Sequence, residues 1–376
     1  MKFVIAPDKF KGSLTGFEFC NAVEEGLRMV FPDAEIVKMP LADGGDGTME
    51  VIKHYLKGET VAVNVHDPLF RTIEAPYLYA GENGVAYIEM AEASGLKLLK
   101  DDERNCMQST SLGTGELMAH ALDRGAKSII LGIGGSATND GGMGVASALG
   151  YRFLDDKGAE LKPIGRSLSA IKGIDASKVH SKLREVEVKV ACDVNNPLYG
   201  KEGAAHVFAA QKGATDKEIE QLDAGLRNYA EVVLGQYGID LQNIKGAGAA
   251  GGIGGGAMAF LNGQLTSGIE LIKELAHFDR AIEGSDWVIT GEGRLDAQTL
   301  TGKTIQGVVV SAQRKNIPVA ALCGSLEITV EQQEALGLDY VTAIVQGITT
   351  LQEAMESSYS NLVKSTYNFA KVLGAP

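Results

Sequence analysis

The hydrophobic pattern of this 376-residue chain switches period near residue 62 and switches back near residue 285, so one kind of layer must sit inside another. Residues 3–6 (FVIA) form a short apolar strand. Thr15 and Glu18 make a capping box for a helix with a buried stripe of Phe19, Ala22, Val23, Leu27 and Val30, stopped before Pro32. A strand over 35–39 and a helix over 48–56, closed by Gly58, complete a βαβα run whose short connections imply a parallel sheet. From residue 61 the pattern alternates instead: Val61, Val63 and Val65, then Ile73, Ala75, Tyr77 and Tyr79, with Tyr87 beyond. Turns at Asp67-Pro68 and Asn83-Gly84 separate these runs, the mark of an antiparallel meander.

Helices over 114–122, near 143–149 and from 217 (capped by Thr215 with Glu218) follow, with strands over 127–131 and 186–191. At 286–290 the opening pattern restarts with a strand and a glycine loop. A helix over 304–315, strands over 319–322 and 340–345 and a final helix complete it. The reading is an α/β protein in which residues 1–62 plus 285–376 form one domain and 63–284 an inserted mixed α/β domain.

Composition narrows the function. With 45% hydrophobic and 22% charged residues the chain can bury an ordinary core. No apolar run reaches the roughly 18 residues of a spanning helix, and the opening strand is too short and too soon charged for a signal peptide, so no membrane partner is expected. Cys20, Cys106, Cys192 and Cys323 are scattered without a CxxC pair, which suits a reducing cytoplasm rather than a disulfide or zinc framework. A net charge of −13 argues against a nucleic-acid-binding face. It also requires that any anionic substrate be attracted locally.

The glycines cluster where strands end, which is where α/β proteins keep ligand loops. Residues 6–13 (APDKFKGS) put Lys9 and Lys11 in a loop opening a helix, where ammonium groups and free amides suit an anion. A solvated loop with surface lysines is the plain alternative. Residues 41–48 (LADGGDGT) offer Asp43 and Asp46 to Mg²⁺ or hydroxyls, unless they only cap a tight turn. Residues 109–115 (STSLGTG), with Ser111, carry more hydroxyls than one helix cap uses.

Residues 132–144 (GIGGSATNDGGMG) can form an anion nest around Gly134 and Gly135, with Ser136, Thr138 and Asn139 adding hydrogen bonds. Gly132, Gly134 and Ala137 also satisfy a dinucleotide fingerprint, with Asp155 downstream, but residues 138–142 delay the helix that the fingerprint needs at once. That weakens a rival reading as a nicotinamide-dependent oxidoreductase of a hydroxy acid. Residues 290–304 (TGEGRLDAQTLTGKT) end like a P-loop, yet Ala297 stands where its first glycine belongs. Glu292, Arg294, Asp296 and Lys303 still bring acids and cations into one loop, as phosphoryl transfer can use. Residues 192–200 (CDVNNPLYG) place Asp193, Asn195 and Asn196 at a strand end, and the almost side-chain-free run 247–256 is either a close-packing segment or a hinge.

Six of these segments, APDKFKGSLT, ADGGDGT, STSLGTGEL, GIGGSATNDGGMG, CDVNNPLYG and TGEGRLDAQTLTGK, together resemble the type I glycerate kinase family, in order over nearly the whole chain. The resemblance implies a flavodoxin-like domain interrupted by a restriction-enzyme-like one, with the active site in the cleft, and transfer of the γ-phosphoryl of ATP to D-glycerate. It favours 2-phosphoglycerate over 3-phosphoglycerate as product. Partners are then D-glycerate and ATP with Mg²⁺, for a monomer or homodimer. Under that chemistry Lys9 is expected in catalysis, with Lys11, Asp43 and Arg294 on substrate. Asp193 and Asp296 compete as the carboxylate that orients the accepting hydroxyl, and Asp43, Asp46 and Asp193 are the expected Mg²⁺ ligands. Ser111, Gly134, Gly135, Ser136, Thr138 and Asn139 are expected on the nucleotide.

Overall fold

The computed structural model describes residues 1–42, 48–296 and 304–374. Contacts divide the chain into two compact units, Met1–Tyr55 with Gly268–Pro376, and Leu56–Ser267. The first unit opens with β1 (Lys2–Ile5), α1 (Gly16–Arg28), β2 (Glu35–Lys38) and α2 (Thr48–Leu56). The Thr15 hydroxyl accepts from the Glu18 amide and the Glu18 carboxylate accepts from the Thr15 amide, so the start of α1 is fixed by its own residues. Its buried stripe of Phe19, Ala22, Val23 and Leu27 joins Phe3, Ile5, Leu322 and Phe369 in one core.

The second unit holds β3 (Glu59–His66), β4 (Thr72–Ala80), β5 (Val85–Glu89), α3 (Met90–Ser94), α4 (Leu112–Asp123), β6 (Ser128–Gly132) and α5 (Met143–Ala148). It continues through β7 (Arg152–Leu154), β8 (Gly173–Asp175), β9 (Glu187–Ala191), α6 (Ala204–Phe208), α7 (Asp216–Tyr237), α8 (Ala249–Phe260) and β10 (Gln264–Thr266). Its sheet has the order β10-β9-β6-β5-β4-β3. The β3–β4–β5 half is the antiparallel meander that alternation suggested, while β5, β6, β9 and β10 run parallel. At the first turn the Asp67 carboxylate accepts from the Leu69 and Arg71 amides, which sets the β3–β4 register.

The chain then returns to the first unit through α9 (Gly268–Leu275), α10 (Phe278–Ala281), β11 (Trp287–Thr290), β12 (Arg294–Leu295) and α11 (Thr304–Gln313). It ends with β13 (Val319–Cys323), β14 (Ser325–Leu326), α12 (Val330–Leu336), β15 (Tyr340–Ala343), α13 (Leu351–Glu356) and α14 (Ser358–Leu373). The sequence pattern opened this return at 285. Helices α9 and α10 already belong to it, because Ile269 packs against Gly307 of α11, where a Cβ would lie 2.7 Å from Ile269 Cγ1. The sheet is wholly parallel in the order β15-β13-β11-β1-β2. Chain direction along the sheet therefore reverses between β1 and β11, and a crevice opens at the carboxyl ends of those two strands.

The glycine run at 247–256 is a packing segment. Helix α8 carries left-handed backbone at Ala250, Gly251 and Gly252, and a Cβ on Gly251 would lie 2.1 Å from the Thr138 carbonyl oxygen. Backbone meets backbone there, beneath the 132–144 loop. Helix α7 begins with a second capping box, Thr215 with Glu218. Thr215→Ala is expected to cost about 1 kcal/mol, read as a lower denaturant midpoint. No change would show that tertiary packing alone sets that helix start.

Candidate functional site

In the first unit, the loops after β1 and β11 lie side by side. The Asp8 amide donates to the Gly291 carbonyl at 2.9 Å, and a Cβ on Gly293 would lie 3.5 Å from the Phe10 Cα. The loop after β13 joins them, with the Gly324 amide donating to the Glu292 carbonyl at 3.1 Å. Lys9 is half-buried and Lys11 exposed. Lys9 lines a concavity with Asp8, Thr15, Leu41, Ala42 and Glu50. Arg294 is exposed, and its guanidinium donates from Nε to Asp296 Oδ2 at 3.1 Å, with Glu327 on its far side at 3.7 Å. The Asp296 side chain keeps only 17% exposure. Two cations and a largely enclosed carboxylate thus stand at the switch point of the parallel sheet. Asp43, Asp46 and Lys303 lie outside the described residues.

Asp8 went unnoticed in the sequence. It is buried, and its carboxylate accepts from the Lys9 amide at 2.7 Å and from the Thr304 hydroxyl at 2.6 Å. Asp8 therefore ties the Lys9 loop to the first residue of α11. A carboxylate two residues past a strand was a visible signal, overshadowed by the lysines beside it.

In the second unit, Gly134 and Gly135 are exposed at the end of β6, while Ser136, Thr138 and Asn139 are buried beneath them. Thr138 Oγ1 and both amide atoms of Asn139 are buried with no hydrogen-bond partner among the described residues. Ser111 is also buried, and its amide and hydroxyl both donate to Asp140 Oδ2 at 2.8 Å. The Gly142 and Gly144 amides donate to the same carboxylate at 3.2 Å. Burial pushes the Asp140 carboxyl upward and these donors pull it back. The other hydroxyls of residues 109–115 have internal roles too: Ser109 donates to the Asn105 carbonyl, and Thr114 to Ser94 Oγ.

Two more groups at this loop escaped the sequence reading. Glu89 ends β5 in register with Gly132, takes a hydrogen bond from the Tyr87 hydroxyl, and is held above the usual carboxylate range by burial. A Cβ on Gly132 would lie 2.5 Å from its Oε2, so any side chain there would displace the Glu89 carboxylate. A charge closing an otherwise apolar strand was its only sequence trace. Lys212, from a single turn far along the chain, sends its ammonium group under the loop to Ser136 Oγ and the Thr138 carbonyl, each at 2.7 Å. No spacing could have announced it. Asp193 is exposed just past β9, the strand beside β6.

The dinucleotide fingerprint does not take its expected form. No helix opens at Ala137, whose amide donates to the Ser94 carbonyl, and α5 starts only at Met143. The Asp155 carboxylate is taken by its own turn, accepting from the Lys157 and Ala159 amides at 2.8 Å.

The family model described as "Glycerate kinase family" matches residues 3–374. A glycerate kinase of Bacillus cereus is 44% identical over 372 residues, covering 99% of this chain and 98% of that one. The glycerate 2-kinase of Escherichia coli K12 is 43% identical over 373 residues, with 99% and 98% coverage. The crystal structure of a protein designated glycerate kinase 2 from Salmonella typhimurium LT2 superposes with a TM-score of 0.88 at 44% identity, covering 99% of this chain and 98% of that one. From its sequence motifs, its strand-end loops and these relatives, the chain belongs to the glycerate kinase family.

Proposed function

We propose that this protein transfers the γ-phosphoryl group of ATP to the 2-hydroxyl of D-glycerate, giving 2-phosphoglycerate. The observation that carries this is the meeting of the Lys9 loop with the Arg294–Asp296 loop at the switch point of a parallel sheet, in a chain of this family. The strand order of the first unit supports a flavodoxin-like reading, and the half-parallel sheet of the second a restriction-enzyme-like insert. Among the described residues no helix is long and apolar enough to cross a membrane. The scattered cysteines, which suit a reducing compartment, support a cytoplasmic enzyme, monomer or homodimer.

Phosphoryl transfer asks chiefly for positioning and charge neutralisation. Lys9 and Lys11 meet the glycerate carboxylate or the moving phosphoryl group, and Arg294 forks onto one of them. Asp296 or Asp193 orients the accepting hydroxyl and takes its proton. The exposed amides of Gly134 and Gly135 receive nucleotide phosphate oxygens on a base shaped by Ser111, Ser136, Thr138 and Asn139.

Mg²⁺ supplies charge neutralisation on the phosphates when it arrives with ATP. Among the described residues no cluster of three or more His, Cys, Asp or Glu forms a dedicated cage. Nucleotide-borne Mg²⁺ needs only one or two protein carboxylates, and exposed Asp193 suits that demand, with Asp43 and Asp46 as further candidates.

Proton-coupled ³¹P NMR of D-glycerate, ATP and Mg²⁺ with the enzyme tests the activity and its position together. The 2-phosphate shows a doublet from its single CH neighbour. A triplet from a CH₂ neighbour would reassign the reaction to the 3-hydroxyl, and no new ester at all would refute the proposal.

A further inference from the structure

A lysine buried without an ion pair is costly, because desolvation disfavours its charged form. Lys212 is 2% exposed, and no carboxylate forms an ion pair with it among the described residues. Its two recorded contacts both go to the 132–144 loop, at Ser136 Oγ and the Thr138 carbonyl oxygen. Its own backbone is clamped from below. The Cys106 amide donates to the Lys212 carbonyl at 3.1 Å, and Gly213 is left-handed, its missing Cβ only 2.1 Å from the Arg104 carbonyl oxygen. An apolar side chain of this length would fill the same space without a buried charge, though it would leave Ser136 Oγ and the Thr138 carbonyl without this donor. What it could not supply is a positive charge beneath the exposed residues Gly134 and Gly135, in a chain whose net charge is −13.

We propose that Lys212 is a positioning residue for the nucleotide. It braces residues 136–138 so that the Gly134 and Gly135 amides face outward, and it lends that loop the positive potential a polyphosphate needs. The inference rests on the reading that this loop receives the phosphates of ATP.

Two titratable groups reach Lys212 electrostatically: Asp140 from the loop above and Cys106 from the segment before α4. The Cys106 thiol is pushed up to about 11 by burial, so it stays neutral through the range that matters. Burial draws Lys212 itself down to about 8. Its charge is thus largely present at neutral pH and is lost as pH rises through about 8. In the unfolded chain a lysine keeps its proton up to about 10.4. The unfolded state therefore holds more protons between those values, and this group's burial penalty is relieved there as pH rises.

The test compares wild type with Lys212→Met in steady-state kinetics. The expected result is a KM for ATP raised about 30-fold or more, with kcat and the KM for glycerate within about threefold and a cooperative thermal unfolding transition retained at pH 7. Above pH 8 the wild-type KM for ATP rises, approaching tenfold per pH unit, while the variant's stays flat. An unchanged KM for ATP, an equal loss in every parameter, or a pH profile shared by both proteins would overturn the proposal and leave Lys212 a structural prop. Should Lys212→Met fail to fold, calorimetry on wild type from pH 7 to 9.5 decides. ATP binding must weaken across pH 8 while adenosine binding does not, and parallel behaviour of the two ligands refutes the idea. A wild type that neither binds nor turns over ATP instead removes the parent reading, so the two failures are distinguishable.

Discussion

Asp296→Asn lowers kcat by about 10²-fold or more, the usual range for a lost general base, with circular dichroism and melting temperature unchanged. Asparagine keeps the shape and can still accept from Arg294, but it cannot take a proton or balance the guanidinium. The side chain keeps 17% exposure, so its charge acts in a partly desolvated setting where it counts for more than at the surface. Lys9→Ala is expected to lose a similar factor by removing charge stabilisation at the neighbouring loop. The two effects should separate: restoring positive charge with Lys9→Arg recovers part of the rate, whereas added acetate or formate can rescue only the Asp296 variant. Near-native turnover in Asp296→Asn would leave Asp193 as the carboxylate that serves the hydroxyl.

Asp140→Ala destabilises the second unit by about 3 kcal/mol or more, because each buried donor left unsatisfied costs about 1–3 kcal/mol. Four donors converge on this carboxylate: the amides of Ser111, Gly142 and Gly144 and the Ser111 hydroxyl. Removing the acceptor leaves buried N–H groups unsatisfied and disconnects residues 109–115 from the 132–144 loop. Ser111→Ala deletes only one hydroxyl and should cost about 1–2 kcal/mol. Urea denaturation with a probe in the second unit reads both. A loss below 1 kcal/mol for Asp140→Ala would mean that packing, chiefly α8 beneath the loop, holds it without the carboxylate.

Much of the architecture was readable before any coordinates. Thr15 with Glu18 and Thr215 with Glu218 announce helix starts because the signal is local, contained within four residues. The alternation of Val61, Val63 and Val65 against Ile73, Ala75 and Tyr77 announces paired strands for the same reason. Helix α8 was invisible: five glycines in twelve residues oppose helix formation, and only close contact with residues 138–142 and 246–247 makes them useful. The short strands β7, β8 and β10 also escaped notice, having three residues each and no alternation to display.

The candidate site divides along the same line. Lys9, Lys11, Arg294, Asp296, Asp193 and the glycine-rich turns could be located at strand ends from sequence, since a strand followed by glycine and polar residues is a local pattern. Which of their neighbours hold them could not. Asp8 meets Thr304 across 296 positions, Lys212 meets Ser136 across 76, and Asp140 meets Ser111 across 29. By itself the sequence determined the order of most elements, the change of layer at the second unit and the chemical character of each loop, because those depend on neighbours in the chain. Only the tertiary structure decided which carboxylates and which lysine are buried, because burial and hydrogen bonding are set by segments that meet after long excursions of the chain.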